Sequence, residues 1–192
     1  MSGKEEKRAE ILKAAARVFV EYGFDGAKIE DIAKAAGIGK GTVYEYFESK
    51  TDLFREMLRN SVEEYRQALA EKIAQGRDIR EKILNCSQYS TRFLSENLDM
   101  LEMAWQASTL MSKETRTWLI EEKLSIFRLL EDMVKDGVAR AELRQGLEPE
   151  LAVFSILGTI HQYYGKKVFL DEAAPEKLDH EAVVDVILNG LK

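Results

Sequence analysis

Residues 29–54 constrain the fold more than any other part of the chain, reading IEDIAKAAGIGKGTVYEYFESKTDLF. Apolar residues recur at helical spacing on either side of a glycine pair: Ile32 and Ala36 lie four apart before it, and Val43 and Phe47 after it. The first glycine stands where a helix C-terminus favours a left-handed residue. The stretch is therefore predicted to form two short helices joined by a tight turn, a helix-turn-helix.

The rest of the chain also favours helices. Its two prolines, Pro149 and Pro175, leave long uninterrupted windows, and no strand-like alternation stands out. Ser49 to Asp52 form a capping-box sequence, and Pro149 fits the first position of a helix. We predict an all-α protein of about nine helices, near residues 4–22, 29–36, 40–46, 50–74, 78–94, 98–111, 113–138, 149–169 and 179–191.

The charged residues are unevenly distributed. Of the 28 basic and 34 acidic residues, 11 of each lie within residues 1–60, so that segment is neutral. The remaining 17 basic and 23 acidic residues carry the whole net charge of −6. A neutral segment can still bind DNA if its cations cluster on one face, and an acidic remainder would be held away from phosphates.

A longer pattern joins the helix-turn-helix to the helices beside it. Phe19 and Gly23 close the first predicted helix, Ile32 and the Ala-Gly pair at 36–37 belong to the second, and the motif KGTVYEYFESKTDLF follows at 40–54. With these residues, the stretch from about 8 to 55 resembles the DNA-binding domain of the TetR (tetracycline-repressor) family of bacterial regulators. The rest of the chain is similar in length and helical character only.

The resemblance implies two domains, an N-terminal three-helix DNA-binding domain at 1–50 and a C-terminal helical ligand-binding and dimerisation domain at 51–192. It implies a dimeric transcriptional regulator, in the first place a repressor that binds a palindromic operator in double-stranded DNA. A small-molecule effector would release it. Because the second domain shows no internal charge cluster, we expect that effector to be apolar or aromatic.

The resemblance also implies DNA contacts at seven positions: Lys28, Lys40, Gly41, Thr42, Tyr44, Tyr46 and Lys50. Lysine and tyrosine side chains donate to phosphate oxygens, threonine offers a hydroxyl and a methyl group, and glycine allows close approach of the backbone. The alternative is that the two tyrosines are core aromatics and the lysines are merely solvated.

Two positions depart from the family pattern. Lys28 stands where the family usually has a threonine that caps the second helix and touches phosphate, and Gly39 stands where serine often precedes the third helix. Lys28 loses the cap but could still reach a phosphate as a point charge, and Gly39 still serves as a cap residue. Both changes keep the fold and leave the fine contacts open.

The effector is expected among large side chains of the second domain. The candidates are Tyr89, Phe93, Met103, Trp105, Trp118, Phe127 and His161. Trp105 and Tyr89 are favoured because their polar tips need partners when buried. The alternative is that these residues are ordinary core, and His161 could equally be a pocket hydrogen-bonder, an interface residue or a satisfied core group.

A dimer is expected because one short recognition helix reads only a few base pairs, so a second head is needed about 34–36 Å away on a palindrome. In similar proteins the last two helices form the interface. The corresponding residues here are Leu151, Phe154, Gly158, Val184, Ile187 and Leu188. The alternative is that these stripes pack only within one subunit.

Competing functions find little support. His161 and His180 have no metal-ligand spacing, and Gly37 to Gly41 follow a helix rather than the strand that a phosphate loop requires. We therefore predict no enzyme activity, no metal and no cofactor. A helical adaptor that has lost operator binding stays open, because the head is neutral and carries Lys28, and the salt dependence of DNA binding would separate it.

Location follows from what the sequence lacks. No apolar run approaches the roughly 18 residues that a membrane span needs. The first residues, MSGKEEKRAE, have no apolar core of a signal peptide, and the single cysteine, Cys86, cannot form an internal disulfide. We expect a cytoplasmic protein with no membrane partner.

Overall fold

The computed structural model describes residues 3–98, 113–171, 174 and 177–191. These residues form eight α-helices and one π-helical turn, with no strand among them, which confirms the all-α prediction. The helices are α1 Gly3–Gly26, α2 Ile29–Ala35, α3 Lys40–Tyr46, α4 Lys50–Ala74, α5 Ile79–Glu96, α6 Lys113–Ala139, α7 Pro149–Gly165 and α8 His180–Leu191, and the π turn Lys166–Leu170 continues α7. The helix predicted at 98–111 lies outside the described residues, apart from its first position.

Two compact units divide the chain. One comprises residues 1–64 and 97–119, and the other comprises residues 65–96 and 120–192. The first unit contains the helix-turn-helix. Its core consists of fully buried apolar side chains from α1 to α4, among them Phe19, Ile32, Val43 and Leu53.

The turns of the first unit follow its glycines and caps. α1 changes direction at Gly23, and Gly37 follows the C-cap of α2, has a φ of +67° and donates its N–H to the Lys34 carbonyl. Glycine adopts a left-handed conformation at such a helix end without the steric cost that a side chain adds. At the start of α4 the Ser49 hydroxyl accepts the Asp52 N–H at 3.0 Å, as the capping-box sequence predicts.

The second unit is a bundle with its own apolar core. Ile83 and Cys86 of α5, Leu130 of α6, Ile156 of α7 and Val184 of α8 are all fully buried within it. Ion pairs lie at its surface, and the Arg80 guanidinium of α5 binds the carboxylates of Glu181 and Asp185 on α8. Such exposed pairs contribute little stability, so burial of the apolar residues holds the bundle together.

Candidate nucleic-acid interface

The α2–turn–α3 segment presents one face of α3 outward. Val43 and Phe47 anchor the helix in the core of the first unit, as their spacing predicts. Lys40, Gly41 and Tyr44 are exposed on the other side, and 48% of the Tyr44 surface is accessible. A short helix fixed along one side, with polar groups and a bare backbone position on the other, has the shape that enters the major groove.

Lys40 is held by an acidic residue of the preceding helix. Its ammonium lies 2.5 Å from a carboxylate oxygen of Glu30 and 5.9 Å from the centre of the Tyr44 ring. The hydrogen bond to Glu30, followed by the charge of that carboxylate, raises the pKa of Lys40. The hydrogen bond from Lys40 also lowers the pKa of Glu30, and the Glu30 backbone N–H and the positive charge of Lys28 act in the same direction.

Lys50 points back toward the end of α1. Its ammonium donates to the carbonyl oxygens of Asp25 at 3.2 Å and Ala27 at 3.1 Å, and it lies 4.8 Å from the centre of the Phe24 ring. These two bonds join α4 to the segment before α2. The sequence gives no sign of these bonds because the partners lie more than twenty residues away.

The other predicted contact residues lie near this face with different exposure. Lys28 is exposed at the N-cap of α2, where it makes no side-chain capping bond. Thr42 is half-buried in α3. Tyr46 is partly buried against the core, and its ring centre lies 6.5 Å from that of Phe47. Of the two tyrosines, Tyr44 is therefore the one whose phenol extends into solvent.

Aromatic side chains cluster in the second unit. Tyr89 and Phe93 of α5 surround the Tyr65 ring of α4, with centre-to-centre distances of 5.6 Å and 4.6 Å from it. The Tyr65 hydroxyl lies 2.9 Å from the Ser90 hydroxyl, and burial raises the pKa of Tyr65 strongly. Tyr65 is not among the residues predicted from the sequence, although helical spacing from the buried Leu69 places it on the inner side of α4.

The remaining predicted effector residues do not join this cluster. Phe127 of α6 packs edge-on against Phe154 of α7, with 5.2 Å between ring centres. Trp118 belongs to the first unit, where the Arg59 guanidinium lies 5.1 Å from its ring centre. His161 lies on the exposed side of α7, and partial burial of its ring and the charge of Lys123 lower its pKa. Met103 and Trp105 lie outside the described residues.

The predicted dimer residues separate into two groups. Leu151, Phe154 and Gly158 are exposed on α7. Val184, Ile187 and Leu188 of α8 are instead buried in the core of their own subunit, where their side chains face α5 and α7. That these three residues contact a partner stays a prediction, because apolar spacing marks a buried face without showing which chain covers it.

A helix-turn-helix with an anchored, outward-facing second helix defines a DNA-binding protein. Similarity to known proteins narrows the class of DNA-binding protein further. Residues 11–57 match the family described as bacterial regulatory proteins, tetR family. These residues therefore match the DNA-binding domain of the TetR family, and the chain is a DNA-binding transcriptional regulator.

Relatives cover nearly the whole chain. The fatty acid metabolism regulator protein of Bacillus subtilis (strain 168) is 23% identical over 191 residues, covering 100% of this chain and 98% of that protein. The HTH-type transcriptional repressor KstR2 of Rhodococcus jostii (strain RHA1) is 28% identical over 197 residues, covering 99% and 93%. The crystal structure of FadR from Bacillus subtilis in complex with stearoyl-CoA has a TM-score of 0.71 at 25% identity, covering 96% of this chain and 99% of that one. These relatives are regulators and not enzymes.

Two further properties bear on the partners. Among the helices that the structure describes, none is long and apolar enough to cross a membrane. Within the same residues, no group of three histidine, cysteine, aspartate or glutamate side chains could hold a metal ion.

Proposed function

We propose that this protein is a homodimeric repressor that binds a palindromic operator through the exposed face of α3 and leaves it when an acyl-chain effector binds the second domain. The observation that carries the proposal is the division of α3 between Val43 and Phe47, which anchor it, and Lys40, Gly41 and Tyr44, which face solvent. Because DNA binding is its task, we place the protein in the cytoplasm.

The DNA contacts divide by chemistry. Thr42 and Gly41, in the first turn of α3, are positioned to approach base edges, since the N-terminal turn of a recognition helix enters the groove first. Tyr44, Lys28 and Lys40 supply donors for phosphate oxygens. Lys50 has a structural role, because its hydrogen bonds to the Asp25 and Ala27 carbonyls fix the angle between α1 and α4.

An exposed apolar face supports the dimer. In the second unit, Ile120 and Leu124 of α6 and Leu151 and Phe154 of α7 each leave roughly half or more of their surface accessible. The packing of Phe127 on Phe154 makes the two helices one continuous surface. Adjacent large apolar side chains on a soluble subunit mark a protein–protein contact. We therefore place the interface on α6 and α7 and only on the exposed side of α8, which carries Val186.

The effector class is supported by the aromatic cluster and by the relatives. Tyr65, Tyr89 and Phe93 offer apolar ring faces, while the Tyr65 and Ser90 hydroxyls provide one polar point. Apolar ring faces with a single polar point suit contact with a long apolar chain. FadR of Bacillus subtilis has been crystallised with stearoyl-CoA, and we propose an acyl-CoA for this chain as well.

Selection from random duplex DNA tests the DNA-binding part. The purified protein should enrich an inverted repeat whose half-sites lie about one helical turn apart. Enrichment of no sequence would refute operator recognition and favour the helical adaptor.

Release of the selected duplex by a long-chain acyl-CoA, but not by free coenzyme A, tests the effector. Release by the free fatty acid alone would retain an apolar effector and exclude the CoA moiety. An unchanged DNA affinity with all three compounds would refute the effector class, leaving the DNA-binding assignment intact.

A further inference from the structure

Glu30 forms an ion pair with Lys40, a cation on the proposed DNA-binding face. Its carboxylate lies 2.5 Å from the Lys40 ammonium, and both side chains are about half accessible, at 57% and 50%. The two residues are ten positions apart and belong to different helices, so α2 brings the acid to α3 only in the folded domain.

We propose that Glu30 is a positioning residue that competes with operator phosphate for Lys40 and thereby lowers the affinity of the protein for DNA. The proposal rests on the proposed function, because it requires Lys40 to contact DNA. In the free protein the ammonium is neutralised by Glu30. In the complex the ammonium exchanges this carboxylate for a phosphate oxygen.

The exchange is physically easy. An exposed lysine–carboxylate pair is weak in water, because solvent screens it and two flexible side chains must be held in place. The ammonium has three donors, and Glu30 uses one of them. DNA offers a dense row of phosphates and gains entropy by releasing its counterions, so it can displace the carboxylate.

The negative charge of Glu30 persists under working conditions. Lys40, the Glu30 backbone N–H and Lys28 all lower the pKa of the Glu30 carboxyl, so the group stays ionised at neutral pH. Two cations, Lys28 and Lys40, lie around Glu30, and its carboxylate cancels the charge of one of them. Residues 1–60 carry no net charge, so removal of the Glu30 charge would leave them at +1.

Asp31 provides the matched control. It follows Glu30 in the first turn of α2, where a carboxylate stabilises a helix by its position alone. It is exposed, and within the described part of the chain it makes no ion pair with Lys40. Asp31→Asn therefore removes the same charge from the same helix turn but leaves the pair intact.

The experiment measures fluorescence anisotropy of a selected operator duplex and a scrambled duplex between about 50 and 400 mM salt, a range over which phosphate contacts change affinity strongly. The proteins are wild type, Glu30→Gln, Asp31→Asn, Lys40→Gln and the Glu30→Gln/Lys40→Gln double variant. Thermal unfolding of each variant verifies that it is folded. We expect Glu30→Gln to fold, since the glutamine amide oxygen can still accept the backbone N–H.

We expect Glu30→Gln to bind both duplexes about two- to fivefold more tightly at low salt and to steepen the log–log salt dependence by up to about 0.9. Asp31→Asn should change the affinity less than twofold. The gain should disappear in the Lys40→Gln background, because Glu30 acts through Lys40.

Three results would overturn the proposal. Unchanged or weaker binding by a folded Glu30→Gln would mean that the pair does not compete with DNA. An equal gain from Asp31→Asn, or a gain that survives in the Lys40→Gln background, would show a general charge effect. If Lys40→Gln alone leaves the DNA affinity unchanged, Lys40 does not contact DNA and the proposal is wrong. Specific DNA binding by the wild type would still support the proposed function.

Discussion

The ammonium of Lys50 donates a hydrogen bond to the carbonyl oxygen of Ala27 at a distance of 3.1 Å, joining the first turn of α4 to the segment between α1 and α2. The same ammonium binds the Asp25 carbonyl and lies over the Phe24 ring. The neighbouring rings of Phe19 and Phe54 complete the junction, with ring centres 5.1 Å apart. Lys50 therefore helps to set the geometry of the DNA-binding unit from within.

We expect Lys50→Met to lower the free energy of unfolding by about 1–2 kcal/mol, because the carbonyls lose a charged donor while the apolar stem is kept. Lys28→Met is the control, since Lys28 is exposed and caps nothing, and its effect should stay within about 0.5 kcal/mol. Urea unfolding followed by circular dichroism measures both. Unchanged stability of Lys50→Met with weakened DNA binding would return Lys50 to the role of a simple phosphate contact.

Two glycines separate folding from DNA approach. Gly37 has a positive φ, so Gly37→Ala should destabilise the domain by about 1 kcal/mol although open space surrounds the position. Gly41 lies inside α3 with no atom near an added methyl group, so Gly41→Ala should leave the domain as stable or more stable by up to about 1 kcal/mol. Thermal unfolding and anisotropy on the selected operator measure both variants.

For DNA affinity we expect the reverse order of the two variants, with the larger effect from Gly41→Ala. Gly41→Ala should weaken operator binding about tenfold or more, because a methyl group enters the closest approach between helix and groove. A stable Gly41→Ala protein with wild-type affinity would show that this turn of α3 stays clear of the DNA.

The two tyrosines of α3 provide another comparison. Tyr44 is exposed, whereas Tyr46 packs partly against the core. We expect Tyr44→Phe to weaken binding about fivefold on operator and scrambled DNA alike, since a phenol–phosphate bond carries no sequence information. Tyr46→Phe should have a smaller effect. Anisotropy measures both, and the opposite order would move the phosphate contact to Tyr46.

The interface prediction concerns Phe154, which is 54% exposed and packs on Phe127. Phe154→Asp should weaken dimerisation by about 2–4 kcal/mol, because it places a charge in an apolar contact. Sedimentation velocity at micromolar concentration should then show monomers. Gln88→Asp, an exposed change on α5, is the control and should stay dimeric. A dimeric Phe154→Asp protein would contradict an interface on α6 and α7.

Cys86 should resist labelling in the native protein. Burial raises the pKa of its thiol to about 11, so the reactive thiolate is scarce at pH 8. We expect an aromatic disulfide reagent to react roughly two orders of magnitude more slowly with native than with unfolded protein. Because the folded state favours the neutral thiol, the contribution of Cys86 to the free energy of unfolding is complete below the unfolded pKa near 8.5 and is lost as the pH rises toward 11. Rapid native labelling would contradict the burial.

Local pattern was sufficient for much of the fold. The four-residue spacing of Val43 and Phe47 correctly predicted which side of α3 is buried, and Ser49 and Asp52 correctly marked the start of α4. These features depend on neighbours within one turn of helix, where sequence and structure correspond closely.

Contacts between distant segments could not be predicted in the same way. Glu30 meets Lys40, and Lys50 meets Ala27, only because α1 to α4 pack at particular angles. The apolar stripe containing Val184 shows a related limit, since its spacing indicates burial while only the packed bundle shows that α5 and α7 cover it.

The central claim is that this protein reads a specific DNA site as a dimer. Fluorescence anisotropy on the duplex upstream of its own gene, titrated at several salt concentrations beside a scrambled duplex, tests it most directly. We predict two protomers per site, a clear preference for the upstream sequence, and affinity that falls by roughly 0.9 log units per log salt for each phosphate contact. Binding of single protomers, or equal and salt-insensitive binding to both duplexes, would contradict it.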